Sequence, residues 1–240
     1  MMVYSHTDIG NKRNENQDSF STAVLEDAVF AVVCDGMGGQ NAGKEASERA
    51  VTIIKERIEA SYRSDYDPNK IRNLLVAAVR TANAVVYELG SAVPEWSGMG
   101  TTCVAVLIRN GMLYAVNVGD SRAYLITHQI SQITKDHSMV MNLYESGDIT
   151  KEQIKNHPKR NVITRAVGVC DDVEPDYFEC EIPAGAAVLL CSDGLYNFCD
   201  EGIIFRAVKD MPPEEVPEYL VQTALKNEGG DNITAVLMKS

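Results

Sequence analysis

Four aspartates keep similar company along the chain. Asp35 closes the apolar run Phe30-Ala31-Val32-Val33-Cys34 and is followed by Gly36, and Asp193 closes Val188-Leu189-Leu190-Cys191-Ser192 and is followed by Gly194. Asp231 comes after Gly229-Gly230 and before the run Ile233–Met238, and Asp120 follows Val116-Asn117-Val118-Gly119. A carboxylate at the end of a buried strand sits on rigid backbone beside a loop. A glycine next to it lets a ligand or another backbone come close. Taken singly, each reads first as a turn residue, since Asp-Gly punctuates loops. Four in one setting suggest a converging set, and like charges gathered away from water need a cation or a raised pKa. Oxygen ligands without a His/Cys cluster favour Mg²⁺ or Mn²⁺ over zinc.

The elements that would carry these residues can be read from periodicity. Ala28–Cys34 is a short continuous apolar run, expected as a strand buried on both faces, and Gly36 and Gly38-Gly39 then break the chain. Ala46, Ala50, Ile54 and Ile58, four apart with charges between, predict a helix. A stronger helix begins at Asp67-Pro68, an N-cap with a first-turn proline, and carries the stripe from Ile71 through Leu75, Ala78, Ala82 and Val86 to Leu89. Thr101–Ile108 and Met112–Val118 flank Arg109-Asn110-Gly111, a hairpin signal. Arg122–Ile126 and Ile130–Ile133 form a second hairpin around Thr127-His128-Gln129. A polar, weakly patterned region covers about 143–161. Strands at Tyr177–Ile182, Ala187–Cys191 and Ile233–Met238 and a helix near Glu214–Lys226 complete the chain. Tight hairpins force antiparallel pairing, so helices should pack onto sheets in an α+β arrangement.

Composition narrows the class. A chain of 240 residues with no linker, low-complexity tract or repeat is read as one domain, 1–240. The N-terminus shows no signal-peptide pattern and no stretch is long and apolar enough to span a membrane, so a cytoplasmic protein is expected. A net charge of −12 argues against nucleic acid and anionic membrane as partners. The six cysteines show no C-x-x-C spacing, and Cys34, Cys103 and Cys191 lie in apolar runs, where reduced thiols act as small core residues.

Arg13-Asn14-Glu15-Asn16-Gln17-Asp18, Asp35-Gly36-Met37-Gly38-Gly39, Gly98-Met99-Gly100-Thr101-Thr102, Val118-Gly119-Asp120-Ser121-Arg122, Cys191-Ser192-Asp193-Gly194-Leu195 and Asp231-Asn232-Ile233-Thr234 resemble, in order, the motifs of the protein phosphatase 2C (PPM) family. Asp136-His137-Ser138 and Ile163–Gly168 resemble family segments between them. The spelling looks like the bacterial branch that opposes serine/threonine kinases. The resemblance implies a four-layer α-β-β-α sandwich, two antiparallel sheets flanked by helix pairs. It implies two core Mn²⁺ or Mg²⁺ ions bridged by Asp35, with the Gly36 carbonyl on one and Asp193 and Asp231 on the other. Asp18 would lie beside the second ion, directly or through water, and Asp120 with Asp193 would hold a weaker third ion. Arg13 would grip the substrate phosphate, and the region 143–161 resembles the family's flap beside the active site.

The activity so implied is hydrolysis of phosphoserine and phosphothreonine in proteins by a metal-activated water. Phosphorylated proteins, a Ser/Thr kinase and its substrates, would be the partners of a monomeric enzyme. Some family members carry a histidine after the Asp-Gly pair as the acid for the leaving alkoxide, whereas this chain has Met37. A metal-bound water is the favoured replacement, with His137 or His157 the other options. Two rivals are a phosphatase of a sigma-factor switch with the same fold, and a phosphoprotein-binding domain without activity.

Overall fold

The computed structural model describes residues 1–39 and 41–239. The first half of the chain forms β1 (Met2–Asp8), β2 (Asp18–Val24), β3 (Ala28–Met37), α1 (Ala42–Ser61), α2 (Pro68–Ala92), β4 (Gly100–Thr101), β5 (Cys103–Arg109) and β6 (Met112–Val118). The second half forms β7 (Arg122–Ile126), β8 (Ile130–Gln132), α3 (Met139–Glu145), α4 (Lys151–Ile154), β9 (Asp176–Glu181), β10 (Ala187–Cys191), α5 (Asp193–Tyr196), α6 (Glu201–Asp210), α7 (Val216–Lys226) and β11 (Ile233–Lys239). The strands make two antiparallel sheets, ordered β1-β11-β10-β7-β8 and β2-β3-β5-β6-β9, with β4 added to β3.

Alternation along each strand decides the layering. In β3, Val29, Ala31 and Val33 join Val104 and Val106 of β5, Val188 and Leu190 of β10 and Val236 of β11 in an apolar layer between the sheets. Phe30, Val32 and Cys34 face the other way, onto Ala46, Ala50, Ile54 and Ile58 of α1 and the Ile71–Val86 stripe of α2. On the far side Leu189 and Cys191 of β10 and Ala235 and Leu237 of β11 pack under α6 and α7. The result is the expected α-β-β-α sandwich. Both faces of the central strands are dry, which explains their unbroken apolar runs. Each fully buried Val, Leu or Ile contributes about 1.5–3 kcal/mol.

Local signals hold at several predicted boundaries. Asp67 caps α2 by accepting the Lys70 N–H at 2.9 Å, with Pro68 in the first turn. Arg109 pairs with Met112 across a two-residue turn, and Asn110 and Gly111 both have positive φ, 50° and 74°, as a tight hairpin requires. Cys34, Cys103 and Cys191 are buried free thiols.

Elsewhere the structure corrects the sequence reading. β3 does not stop at Cys34 but runs through Asp35 and Gly36 to Met37, because β2 pairs with it up to Asp35 and β4 with Gly36 and Met37. The predicted strand Thr101–Ile108 is split at Thr102. The weakly patterned region 143–161 contains the end of α3 and all of α4, helices too short to show a period; Ser138 caps α3 and Thr150 caps α4. Elements β1, β2, α5 and α6 had no counterpart in the sequence reading. β1 is a sheet edge with little buried apolar surface, and α6 spans only 10 residues.

Candidate active site

The alternation that builds the inter-sheet core continues past its apolar end. Asp35 has the parity of Val29, Ala31 and Val33, and Asp18, its register partner on β2, has the parity of Phe20. Both therefore point into the gap between sheets, where Ser192 and Thr234 arrive from the opposite sheet. Asp18 Oδ2 accepts from Ser192 Oγ at 2.6 Å and from Thr234 Oγ1 at 2.7 Å. Asp193 follows Ser192 as the first residue of α5, and Asp231 sits two residues before β11.

Small residues let these strand ends meet. A Cβ on Gly36 would stand 2.0 Å from Gly43 O, and one on Gly194 would stand 2.0 Å from Asn232 O, so neither position admits a side chain. Hydroxyls then hold the backbone of Asp35. Its N–H donates to Thr102 Oγ1 at 2.9 Å, and its carbonyl accepts from Thr102 N at 2.8 Å and Thr101 Oγ1 at 2.9 Å. Thr102 Oγ1 and Ser121 Oγ lie 2.7 Å apart, which links Asp35 to the loop of Asp120. Asp231 is flanked by its own neighbours: Oδ1 accepts the Asn232 N–H at 2.9 Å and Oδ2 accepts from Arg13 Nη2 at 2.8 Å.

These contacts leave gaps of one kind. Asp18 Oδ1 and Asp193 Oδ1 are buried with no hydrogen-bond partner among the described residues. A buried polar atom without a partner needs an explanation, and two carboxylate oxygens in one cluster suit a hard cation. Desolvation and mutual repulsion push the carboxyls up: Asp18 to about 7 despite its two hydroxyl donors, Asp120 to about 7 and Asp193 to about 6. Asp35 rises well above the usual carboxylate range, through desolvation first and then Asp18 and Asp193. Among the described residues no three acidic, histidine or cysteine side chains form a ready cage for one ion. That fits Mg²⁺-like cations, which take one or two carboxylates and keep much of their water. The donor set is all oxygen and Arg13 compensates only part of its charge, so the residues present fit the implied ions.

The cluster opens into a cleft of about 270 Å³ whose lining includes Arg13, Asp35, Gly36, Met37, Asp193 and Asp231. A neighbouring cleft of about 590 Å³ shares Asp120, Asn161, Asp193 and Asp231 with it and runs below the 143–161 region, past Arg160 and Tyr196. All seven expected site residues are thus brought to one end of the sandwich: Arg13, Asp35, Gly36, Asp120, Asp193 and Asp231 line the clefts, and Asp18 stands beside Asp35 as its cross-strand partner. The two histidines do not reach in. His157 Nδ1 accepts the Lys159 N–H at 3.1 Å in an exposed turn, and His137 is turned toward Gly119 and Asp176.

Sequence reasoning assigned no role to Thr102, Ser121, Ser192, Thr234 or Asn232. Their signal was present, hydroxyls and an amide adjoining each motif aspartate or glycine, but a hydroxyl's partner is not written in its own segment. Arg122 is a further case. It is paired with Asp136 at 2.7 Å and lies 3.5 Å over the ring of Tyr196, whose hydroxyl donates to Asp120 O at 3.1 Å.

An α-β-β-α sandwich with an oxygen cluster at one end of its inter-sheet core and an arginine on the rim has the build of a cation-assisted hydrolase acting on anionic groups. The protein phosphatase 2C family profile matches residues 8–228, and the chain belongs to that family. It is 34% identical over 236 residues to the serine/threonine phosphatase stp of Listeria monocytogenes serotype 4b, across 97% of this chain and 93% of that protein. The crystal structure of serine/threonine phosphatase Stp1 from Staphylococcus aureus superposes with a TM-score of 0.92 at 36% identity, over 99% of this chain and 94% of that one. The catalytic domain of the serine threonine protein phosphatase PstP, solved with two manganese ions, matches with a TM-score of 0.85 at 32% identity, over 98% of this chain and 96% of that one.

Proposed function

We propose that this protein is a serine/threonine phosphoprotein phosphatase that works with two Mn²⁺ or Mg²⁺ ions and holds a third more weakly. The observation that carries the reading is a pair of buried carboxylate oxygens without a partner among the described residues: Asp193 Oδ1 at the arginine-rimmed cleft that Asp35 lines, and Asp18 Oδ1 on the cross-strand partner of Asp35. Asp35 and the Gly36 carbonyl on β3, with Asp193 at the start of α5 and Asp231 just before β11, would hold the core ions. Asp18 stands behind them, and Asp120 with Asp193 would take the third. When bound, the ions supply Lewis-acid charge to the phosphoryl oxygens and a water acidic enough to attack at neutral pH.

The protein's own part is positioning. Arg13, half exposed and tethered to Asp231, offers a planar fork that pairs two phosphate oxygens at once. Thr101 and Thr102 hold both backbone polar atoms of Asp35, which fixes the strand from which its carboxylate projects. Met37 has no proton to give and both nearby histidines face elsewhere, so the leaving alkoxide takes its proton from water in the open cleft. On this reading residues 1–240 are one phosphatase domain, and 143–161 is a flap that helps choose among phosphoproteins. A monomer in the cytoplasm, reversing a Ser/Thr kinase, is the setting that fits. Among the described residues no helix is long and apolar enough to cross a membrane.

The test is hydrolysis of a phosphothreonine peptide with Mn²⁺, with chelator, and by Asp193→Asn. Turnover should need the cation and fall on the order of a thousandfold in the variant. Full activity of chelated, metal-free protein would overturn the reading.

A further inference from the structure

His137 is only 5% exposed, and its polar atoms make connections beyond its own turn. Its N–H donates to Gly119 O at 2.9 Å and its carbonyl accepts the Thr164 N–H at 2.8 Å. On the ring, Nδ1 accepts the Gly119 N–H at 3.1 Å. A ring nitrogen that accepts an amide proton carries none, so the proton of the neutral imidazole sits on Nε2. That atom lies 3.2 Å from Asp176 Oδ2, a charge contact outside hydrogen-bond geometry. Asp176 Oδ1 accepts in turn from Arg165 Nη1 at 2.6 Å, and the same guanidinium reaches Glu174 O at 2.7 Å.

Both ends of this line have meaning for the site. Gly119 presents Asp120. Its φ is +99°, and a Cβ there would stand 2.6 Å from the Thr102 methyl, so the peptide has little freedom except through what holds it. Arg165 lies on the returning stem of the 143–161 region, two residues past Ile163, which bridges to Ser138. Contacts therefore run without a break from that stem through Arg165, Asp176 and His137 to the peptide that aims Asp120.

We propose that His137 is a positioning residue: bonded to both backbone polar atoms of Gly119 and in contact with Asp176, which Arg165 holds, it makes the seating of the flap stem set how tightly Asp120 holds its cation. This rests on the reading of Asp120 as a ligand of the weaker ion. Partners one step removed from a metal ligand typically change metal affinity by about 10–100-fold when lost.

The experiment is a calorimetric Mn²⁺ titration of the whole chain, run on the wild type, Asp120→Ala, His137→Leu, His137→Asn and Arg165→Ala. The wild type should show a weak class of sites that Asp120→Ala abolishes. If no Asp120-dependent class exists, the reading of Asp120 is wrong and the role of His137 falls with it. If the class exists, His137→Leu should weaken it about tenfold or more and leave the tight class unchanged. His137→Asn, whose Oδ1 can stand where Nδ1 stands, should recover most of that loss. Arg165→Ala, a change at a partly exposed side chain, should weaken the same class a few-fold, and carries the test if His137→Leu does not fold. Unchanged weak binding in either His137→Leu or Arg165→Ala overturns the proposal. So do equal losses in both classes, or an asparagine variant no better than leucine.

Discussion

At the scale of the residue, Asp35 divides its labour: its backbone atoms are strand, and its carboxylate is held in a group of like charges. The arrangement favours function over stability. Asp35→Asn is expected to abolish turnover yet raise the melting temperature of the metal-free protein by a few degrees, a gain of about 1–2 kcal/mol, measured by calorimetry with chelator present. The same crowding gives a pH dependence. Asp18, Asp120 and Asp193 keep their protons in the fold, up to about 7, 7 and 6, where the unfolded chain, with values near 3.8, has lost them. The folded state then binds more protons across that window, so stability of the metal-free protein falls as pH rises through it. It should melt higher at about pH 5 than at about pH 7.5, and saturating Mn²⁺ should reverse the order. Among the described residues Arg13 makes one ion pair, and its side chain is half exposed. Arg13→Ala should therefore raise KM for a phosphopeptide roughly tenfold, with less effect on kcat. Unchanged kinetics would make it an ordinary surface arginine.

At the scale of the element, the segment between β1 and β2 carries Arg13 but has no regular structure of its own. Asn11 ties it to Gly229 O and Leu225 O, and Asn232, just before β11, holds it at three backbone atoms. Asn232 Nδ2 donates to Ile9 O at 2.8 Å and to Glu15 O at 2.9 Å, and its Oδ1 accepts the Gln17 N–H at 2.8 Å. Asn232 is 4% exposed, so truncation leaves three backbone groups without partners, each worth about 1 kcal/mol or more. Asn232→Ala should lower stability by about 2–4 kcal/mol. It should also raise KM much as Arg13→Ala does, because the arginine loses its anchor. A combined variant with the same KM as either single change would show that both act through one contact.

At the scale of the whole molecule, the site is a joint between two halves. Asp18 and Asp35 come from one sheet, Asp193 and Asp231 from ends of the other, and the apolar layer stops where the carboxylates begin. Cations bound there would tie the sheets together and cancel the repulsion between them. Mn²⁺ at a hundred times its dissociation constant should add about 2.7 kcal/mol. For a chain of this size that is a rise in melting temperature of roughly 5–10 °C. A melting temperature indifferent to Mn²⁺ would mean that the ions are not held by the folded site.

Much of this protein is written locally in its sequence. The strand carrying Asp35, the helix capped by Asp67, the Asn110-Gly111 hairpin and the ordered motifs around Asp35, Asp120, Asp193 and Asp231 each depend on residues a few positions apart, where propensity, capping and period act. The family and the candidate ligands could be read for that reason. Other features were decided only by the fold. The β2 strand, the extension of β3 through Met37 and the splitting of the strand at Thr102 follow from pairing with distant segments. That Asp18 takes hydrogen bonds from Ser192 and Thr234, that Asn232 anchors the loop of Arg13, and that His137 faces Gly119 and not the cleft depend on chain segments up to 223 residues apart. Hydrogen bonds and charge repulsion act through space, so a sequence shows which groups are available and only packing of the two sheets decides which of them meet.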